Sequence, residues 1–335
     1  VRGCVGYHAH LPQTPARPQS KSKLVRLDSL NDTKLLVSTR LARCSSGPIN
    51  SPVDFQFQDH FDFIKQIGRS PTSEVWLVKS KSSTTHYCVK KVIAKFNNQA
   101  ERTRYIHEVE AVTFLPAHPN VVKYFRAWQE NQQFYAQMEL CECGSFGGCL
   151  GRLPSGSLVD ERDVWLLAAQ VAAGLAHVHA YGILHLDIKP DNIFLDRHGT
   201  YKIGDFGVAW VAGKGWELQD GDGGYVAPEV LAMDDQALPT TSADIFSFGA
   251  TLYEAAAGHP LPREIRRGLP NWAEGEEALR GRKSLPLEPF VIELPEGRSW
   301  DLAVLISQCL RRDHAHRPSA TDVKSRAHSV LEGLE

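Results

Sequence analysis

Three short polar signatures follow one another in the second half of the chain. They are His185-Leu186-Asp187-Ile188-Lys189-Pro190-Asp191-Asn192, then Asp205-Phe206-Gly207, then Ala227-Pro228-Glu229. Any one of them arises by chance; the ordered, correctly spaced set does not, and it leaves few folds open. The residue types share a chemistry. Asp187 is a carboxylate able to orient a hydroxyl, Asn192 and Asp205 offer oxygen ligands for a hard cation, and Lys189 brings positive charge to an anionic group.

Composition narrows the class. A chain of 335 residues accommodates one large two-lobed domain plus an appendage, or two ordinary domains, and 42% hydrophobic with 23% charged residues is globular. The formal net charge of −2 gives no reason to expect nucleic-acid binding. The charge is uneven: residues 1–50 carry eight Lys/Arg against two Asp, +6, which leaves −8 for the remainder. Seven scattered cysteines, an odd number without a secretory signal, fit reduced thiols inside a cell. Cys141, Cys143 and Cys149 cluster but lack the second pair that a zinc site needs. No apolar run reaches the length of a membrane span; Val164–Ala176 is too short and suits a buried helix. The first residue is Val1, which leaves room for a longer parent protein.

Residues 1–56, rich in Ser, Pro, Thr and basic side chains, lack apolar periodicity and are expected to form a flexible tail. Thr14-Pro15 and Ser51-Pro52 within it invite a reading as proline-directed phosphorylation sites, but such dipeptides are common in disordered segments and the plain reading is favoured. Residues 57–335 are expected to form one α+β domain of two lobes. In the small lobe, 57–140, five strands are predicted near Phe61–Ile64, Val75–Val78, Tyr87–Val92, Val121–Trp128 and Phe134–Leu140, with a turn opening at Ile67-Gly68. One helix, Glu101–Leu115, stops at Pro116. The larger lobe, 141–335, reads as mainly helical, with helices over Asp160–Tyr181, Asp244–Gly258 and from Trp300 onward. Short strands Ile193–Leu195 and Tyr201–Ile203 flank the turn Asp196–Gly199.

The signatures resemble those of protein kinases, which implies a two-lobed kinase fold and transfer of the ATP γ-phosphate with Mg2+. On that resemblance Asp187 is the catalytic base, Lys189 stabilises developing charge, and Asn192 and Asp205 ligate the metal. Lys90, in Tyr-Cys-Val-Lys, takes the place of the strand lysine that binds the phosphates. Its acidic partner is Glu108 or Glu110. Two residues apart on a helix they point about 200° apart, and Glu108 shares the face of Tyr105 and Val112, so Glu108 is preferred. The nucleotide loop is the least regular part: Ile67 then Gly68-Arg69-Ser70-Pro71-Thr72-Ser73-Glu74-Val75 keeps only the first glycine of the motif, and Pro71 lacks an N–H. Glu229 requires a buried cation, for which Arg317 is the candidate, and Asp244 is placed to hold the catalytic-loop backbone. His177 and His179 invite a metal reading, but they lie on different faces of a helix.

Regulation is also legible. Many kinases carry Arg before the catalytic Asp to grip an activation-segment phosphate; here that residue is Leu186. No Ser, Thr or Tyr lies between Gly207 and Tyr225, where Asp220 and Asp222 stand instead. Fixed contacts are therefore expected to hold the active geometry.

More narrowly, the chain resembles the Wee-type kinases, which phosphorylate a tyrosine of cyclin-dependent kinases. The likeness covers about 61–319. It rests on the catalytic loop through Phe194, Gly221-Asp222, the run His118–Trp128, and the hinge Gln137-Met138-Glu139-Leu140-Cys141. It implies that Met138, Glu139 and Cys141 line the nucleotide site. It further implies a cyclin-dependent kinase with its cyclin as partner, a nuclear address, a monomer, and no nucleic-acid or membrane partner. Asp222 replaces the Thr usual in serine/threonine kinases, where it would pair with Lys189 and reshape the substrate platform. Gly224 departs from the family, which has Arg there. Two alternatives remain. His118–Trp128 is also similar to translation-initiation-factor alpha-subunit kinases, but their long insert and their Arg before the catalytic Asp are missing. A pseudokinase scaffold would explain the eroded glycine loop, against intact Lys90, Glu108, Asp187, Asn192 and Asp205.

Overall fold

The computed structural model describes residues 35–38, 56–95, 99–113, 115–216, 218, 221–232, 238–262 and 292–334. The expected tail, with Thr14 and Ser51, otherwise lies outside the described residues, as does Asp220.

Alternating apolar and polar positions build the small lobe as an antiparallel sheet. Its strands are β1 (Leu35–Ser38), β2 (Phe61–Arg69), β3 (Ser73–Ser80), β4 (His86–Val92), β5 (Tyr124–Glu130) and β6 (Gln133–Met138), in the spatial order β1-β5-β6-β4-β3-β2. The five predicted strands are all present. The sixth, β1, comes from the segment read as tail and pairs with β5, Val37 opposite Ala127, so the tail reading fails for those four residues. A backbone edge needs only matching N–H and C=O groups, which composition does not advertise.

Two boundaries also moved. The turn expected at Ile67-Gly68 falls at Ser70–Thr72, because β2 passes a bulge between Gln66 and Gly68 and stays paired to Arg69. Gly68 suits that register, since a Cβ there would lie 3.3 Å from that of Val75. The fourth predicted strand starts at Tyr124 rather than Val121. Its first residues bind the other lobe instead: Val122 N–H donates to Ile203 O (2.8 Å) and Ile203 N–H to Asn120 O (2.9 Å).

One face of the sheet carries an aromatic cluster of Phe61, Trp128 and Tyr135 with Val78 and Val89. A one-turn helix α1 (Phe57–His60) lays Phe57 edge-on against Trp76, 5.3 Å between rings. The other face packs against α2 (Gln99–Thr113), the lobe's long helix, through Val109 and Val112. The main core then continues unbroken into the large lobe.

That lobe is built on α4 (Glu161–His179), following a short α3 (Phe146–Leu150). Asp160 caps α4 by accepting from Arg162 N–H, and the Val/Leu/Ala face of the helix is buried. Its one polar intruder, Gln170, accepts from Tyr201 N–H at 2.7 Å. Around it lie α5 (Pro228–Leu231), α6 (Thr241–Ala257), α7 (Trp300–Cys309) and α8 (Ala320–Gly333). Gly258 ends α6 at φ +78°, the left-handed cap that a Cβ would strain. Five two- or three-residue strands line the cleft side. They are β7 (Gly144–Ser145), β9 (Ile193–Leu195) and β10 (Tyr201–Ile203) in one sheet, with β8 (Ile183–Leu184) and β11 (Trp210–Val211) in another. Among the described residues no helix is long and apolar enough to cross a membrane.

Candidate active site

The chain between β8 and β9 is held by Asp244 from beneath. This fully buried carboxylate accepts from His185 N–H (2.9 Å) and Leu186 N–H (2.7 Å) and pairs with His179 Nε2 (2.7 Å). Burial alone would raise its pKa; the hydrogen bond and charge of His179, with the backbone N–H of His185, hold it below the usual carboxylate value. The grip stabilises Leu186 at φ +61°, a left-handed conformation costly for a bulky residue. His185 continues the scaffold, its ring bonded to Gly204 O at 3.0 Å.

This strained turn presents Asp187. Asn192 Nδ2 donates to its Oδ2 (2.6 Å) and to its carbonyl (2.8 Å), and Lys189 Nζ lies 3.0 Å from the carboxylate. Asp222 joins twice, its N–H donating to Asp187 Oδ1 (3.0 Å) and its carboxylate reaching Lys189 Nζ (3.4 Å). Burial opposes a charged Lys189, but Asp187 and Asp222 overcome it and raise its pKa, so the ammonium is retained.

Across the cleft, Lys90 on β4 bonds Glu108 Oε1 of α2 at 2.9 Å and Asp205 Oδ1 at 2.8 Å. Tyr124 OH also donates to Glu108 (3.3 Å). Glu110 is not in this network; it lies half-buried near Lys214. Burial disfavours the Lys90 charge, yet Asp205 and Glu108 hold its pKa well above the ordinary value. Burial likewise pushes Asp205 up, and Lys90 more than reverses it. Asp205, at φ +59°, is followed by Phe206, which is fully buried against Tyr124 and His185. The two halves of the constellation are joined through Gly204 N–H, which donates to Asn192 O at 3.0 Å. Lys90, Glu108 and Asp205 thus meet directly, Asp187, Lys189 and Asn192 meet directly, and one backbone bond links the two triads.

Glu229 receives a bidentate pair from Arg317 (2.6 and 2.8 Å), whose guanidinium is buried and also donates to Ser242 O. His177 Nε2 bonds Pro116 O and His179 Nε2 bonds Asp244, and no group of three or more His, Cys, Asp or Glu side chains that could hold a metal ion occurs among the described residues.

The β2–β3 turn is closed by its own side chains. Ser70 Oγ accepts from Ser73 N–H (2.9 Å) and Thr72 N–H (3.3 Å), Ser70 N–H donates to Ser73 O, and Pro71 has no N–H to offer. The turn's donors are therefore spent internally. Ile67 is half exposed beside it, and Arg69 and Glu74 form only a loose outer pair at 3.8 Å. At the hinge, Met138 is opposite Cys88 on β4. The Glu139 carboxylate turns toward the large lobe, accepting from Lys123 N–H (3.2 Å) and pairing with buried Lys202 (2.9 Å). Glu139 can thus offer the nucleotide only its backbone. Cys141 is partly buried, and burial raises its thiol and that of Cys88, the latter to about 12, so both stay protonated.

A comparison with known families finds the protein kinase domain over residues 61–328. The chain belongs to the protein kinase family. Its relatives include a Wee1-like protein kinase of Arabidopsis thaliana, 35% identical over 84% of this chain and 53% of that protein. The mitosis inhibitor protein kinase wee1 of Schizosaccharomyces pombe is 40% identical over 60% of this chain and 23% of its own length. A membrane-associated tyrosine- and threonine-specific cdc2-inhibitory kinase of Caenorhabditis briggsae is 32% identical over 79% and 37%. The chain spans about half the length of the Arabidopsis relative.

Protein kinases use ATP and a divalent metal, and the donors of this kinase suit both. With Nδ2 committed to Asp187, Asn192 keeps its carbonyl oxygen as a hard ligand, and the Asp205 side chain, 43% exposed, keeps a carboxylate oxygen clear of Lys90. Four contributors escaped the sequence reading. Tyr124 and Lys202 carry no spacing signal, because their partners, Glu108 and Glu139, lie far along the chain; the closure by Ser70 is local, to Thr72 and Ser73, and was not read. His179 was weighed only as a metal ligand and set aside.

Proposed function

We propose that this kinase transfers the ATP γ-phosphate to a tyrosine of a cyclin-dependent kinase bound to its cyclin, restraining entry into mitosis. The observation that carries the reading is the Asp187–Lys189–Asp222 cluster. In serine/threonine kinases a Thr stands where Asp222 does; an acid that shares Lys189 with Asp187 alters the platform on which the acceptor side chain rests. The names of the S. pombe and C. briggsae relatives support the same direction.

In this reading Asp187 accepts the acceptor's hydroxyl proton as its oxygen bonds to phosphorus and the bond to the leaving diphosphate breaks. Asn192 fixes the Asp187 carboxylate through a 2.6 Å bond, and Lys189 offsets charge gathering on the transferred group. Lys90, aligned by Glu108, binds the phosphates. Asn192 and Asp205 hold Mg2+, which neutralises phosphate charge when bound. Residues 67–75 cover the nucleotide by shape, and Met138, Glu139 and Cys141 border its base. Residues 57–335 form the kinase domain, split into lobes at 140/141, and the protein acts in the nucleus as a monomer.

The test is transfer from labelled ATP to a cyclin-dependent kinase–cyclin complex, wild type against Asp187→Asn, followed by phosphoamino-acid analysis. Phosphotyrosine from wild type alone is the expected result. Phosphoserine or phosphothreonine would instead favour the initiation-factor type, and no transfer at saturating magnesium would leave a scaffold.

A further inference from the structure

The activation segment of this kinase offers no hydroxyl to phosphorylate between Gly207 and Tyr225, and Leu186 supplies no cation to bind a phosphate there. Something else must couple the segment to α2. Among the described residues one contact between them is conspicuous. The indole of Trp216 stacks face to face on the imidazole of His107, ring centroids 4.1 Å apart and planes 11° from parallel, the closest ring pair among those described.

Both partners are anchored. Trp210 Nε1–H donates to Trp216 O at 3.0 Å, while Trp210 and Val211 pair with Leu184 and Ile183 next to the catalytic loop. Ala212 N–H adds a bond to Gly182 O at 2.9 Å. Trp216 is therefore tied to the large lobe. His107 immediately precedes Glu108, which holds Lys90. Neighbouring helix residues are offset by about 100°, so turning α2 enough to withdraw Glu108 slides His107 off the indole. Burial lowers the His107 pKa, which keeps the ring neutral and suited to stacking near neutral pH.

We propose that His107 and Trp216 are positioning residues: their stack locks α2 in the orientation that joins Glu108 to Lys90, in the role that a phosphorylated residue and its arginine serve in other kinases. The inference rests on the phosphotransfer reading, but it has a readout of its own.

In the full chain, Trp216→Ala should lower kcat about tenfold, the upper range for an aromatic pair, with the KM for protein substrate little changed. Hydrogen exchange of the backbone amides over residues 105–113 should quicken by a similar factor while the thermal midpoint holds. Trp216→Phe should restore both, and adding His107→Ala to Trp216→Ala should cost nothing further. Unchanged α2 exchange in Trp216→Ala, or losses that add in the double variant, would overturn the lock. If wild type transfers no phosphate but α2 exchange still responds to Trp216→Ala and not to Trp216→Phe, the lock stands and the phosphotransfer reading fails.

Discussion

The catalytic loop and the nucleotide turn face each other across one cleft and are built by opposite rules. Around Asp187 every side chain has fixed partners: Asp244 below, Asn192 and Lys189 beside it, Asp222 above. At Ser70–Ser73 the motif has eroded to a single glycine, and the turn satisfies its own N–H groups through Ser70 Oγ. The difference reflects the physics of each task. Charge that develops during a reaction must meet pre-oriented groups within a fraction of an ångström, so residue identity is constrained. A cover over a nucleotide needs only close backbone approach, which several sequences satisfy.

The contrast can be broken most sharply at Asp187. Asp187→Asn should reduce kcat by roughly 10²–10⁴-fold, the usual contribution of a positioned base, while nucleotide affinity measured by titration stays within about twofold. An affinity loss as large as the loss in kcat would mean that the residue only maintains shape.

Next in size is Asp244→Asn, expected to lower the unfolding free energy by about 3 kcal/mol in denaturant titrations, since a buried acceptor of two backbone N–H groups is weakened. The pH dependence carries a sign. The folded pKa of Asp244 lies below its unfolded value, so its stabilisation is full above pH ~4 and fades as pH falls through the folded pKa. The gap between wild type and variant should therefore narrow from pH 5 to pH 3; a widening gap would contradict the assignment.

A smaller effect is expected on the other side of the cleft. Ser70→Ala removes the acceptor that closes the turn, loosening the cover over the nucleotide, and should raise the KM for ATP by about fivefold, one hydrogen bond's worth, with kcat nearly unchanged. A kcat loss as deep as that of Asp187→Asn would erase the distinction between the two regions. The smallest change of all is predicted for phosphatase treatment of the pure kinase, which should leave activity as it was; a large loss would mean that a phosphate, and not fixed contacts, sets the geometry.

Much of this architecture could be read in advance because its signals are local. The periods of strand and helix, the helix stop at Pro116, and the fixed intervals between Asp187, Asn192 and Asp205 are properties of neighbouring residues. Glu108 could be preferred over Glu110 from helix geometry alone, and Lys90 indeed bonds Glu108. The edge strand Leu35–Ser38 was missed because an edge position recruits backbone, not composition. Val121–Lys123 was misassigned to a strand because its apolar residues serve the lobe junction, where Val122 bonds Ile203.

What the sequence by itself determined is the kinase family and the residue types that its chemistry calls for, since those depend on order and spacing along the chain. What only the tertiary structure decided is where charges and rings end up relative to distant partners: Glu139 turned onto Lys202, Tyr124 onto Glu108, Trp216 lying on His107. Such contacts join segments up to about a hundred residues apart. Their geometry follows from how the lobes pack, which no local pattern encodes.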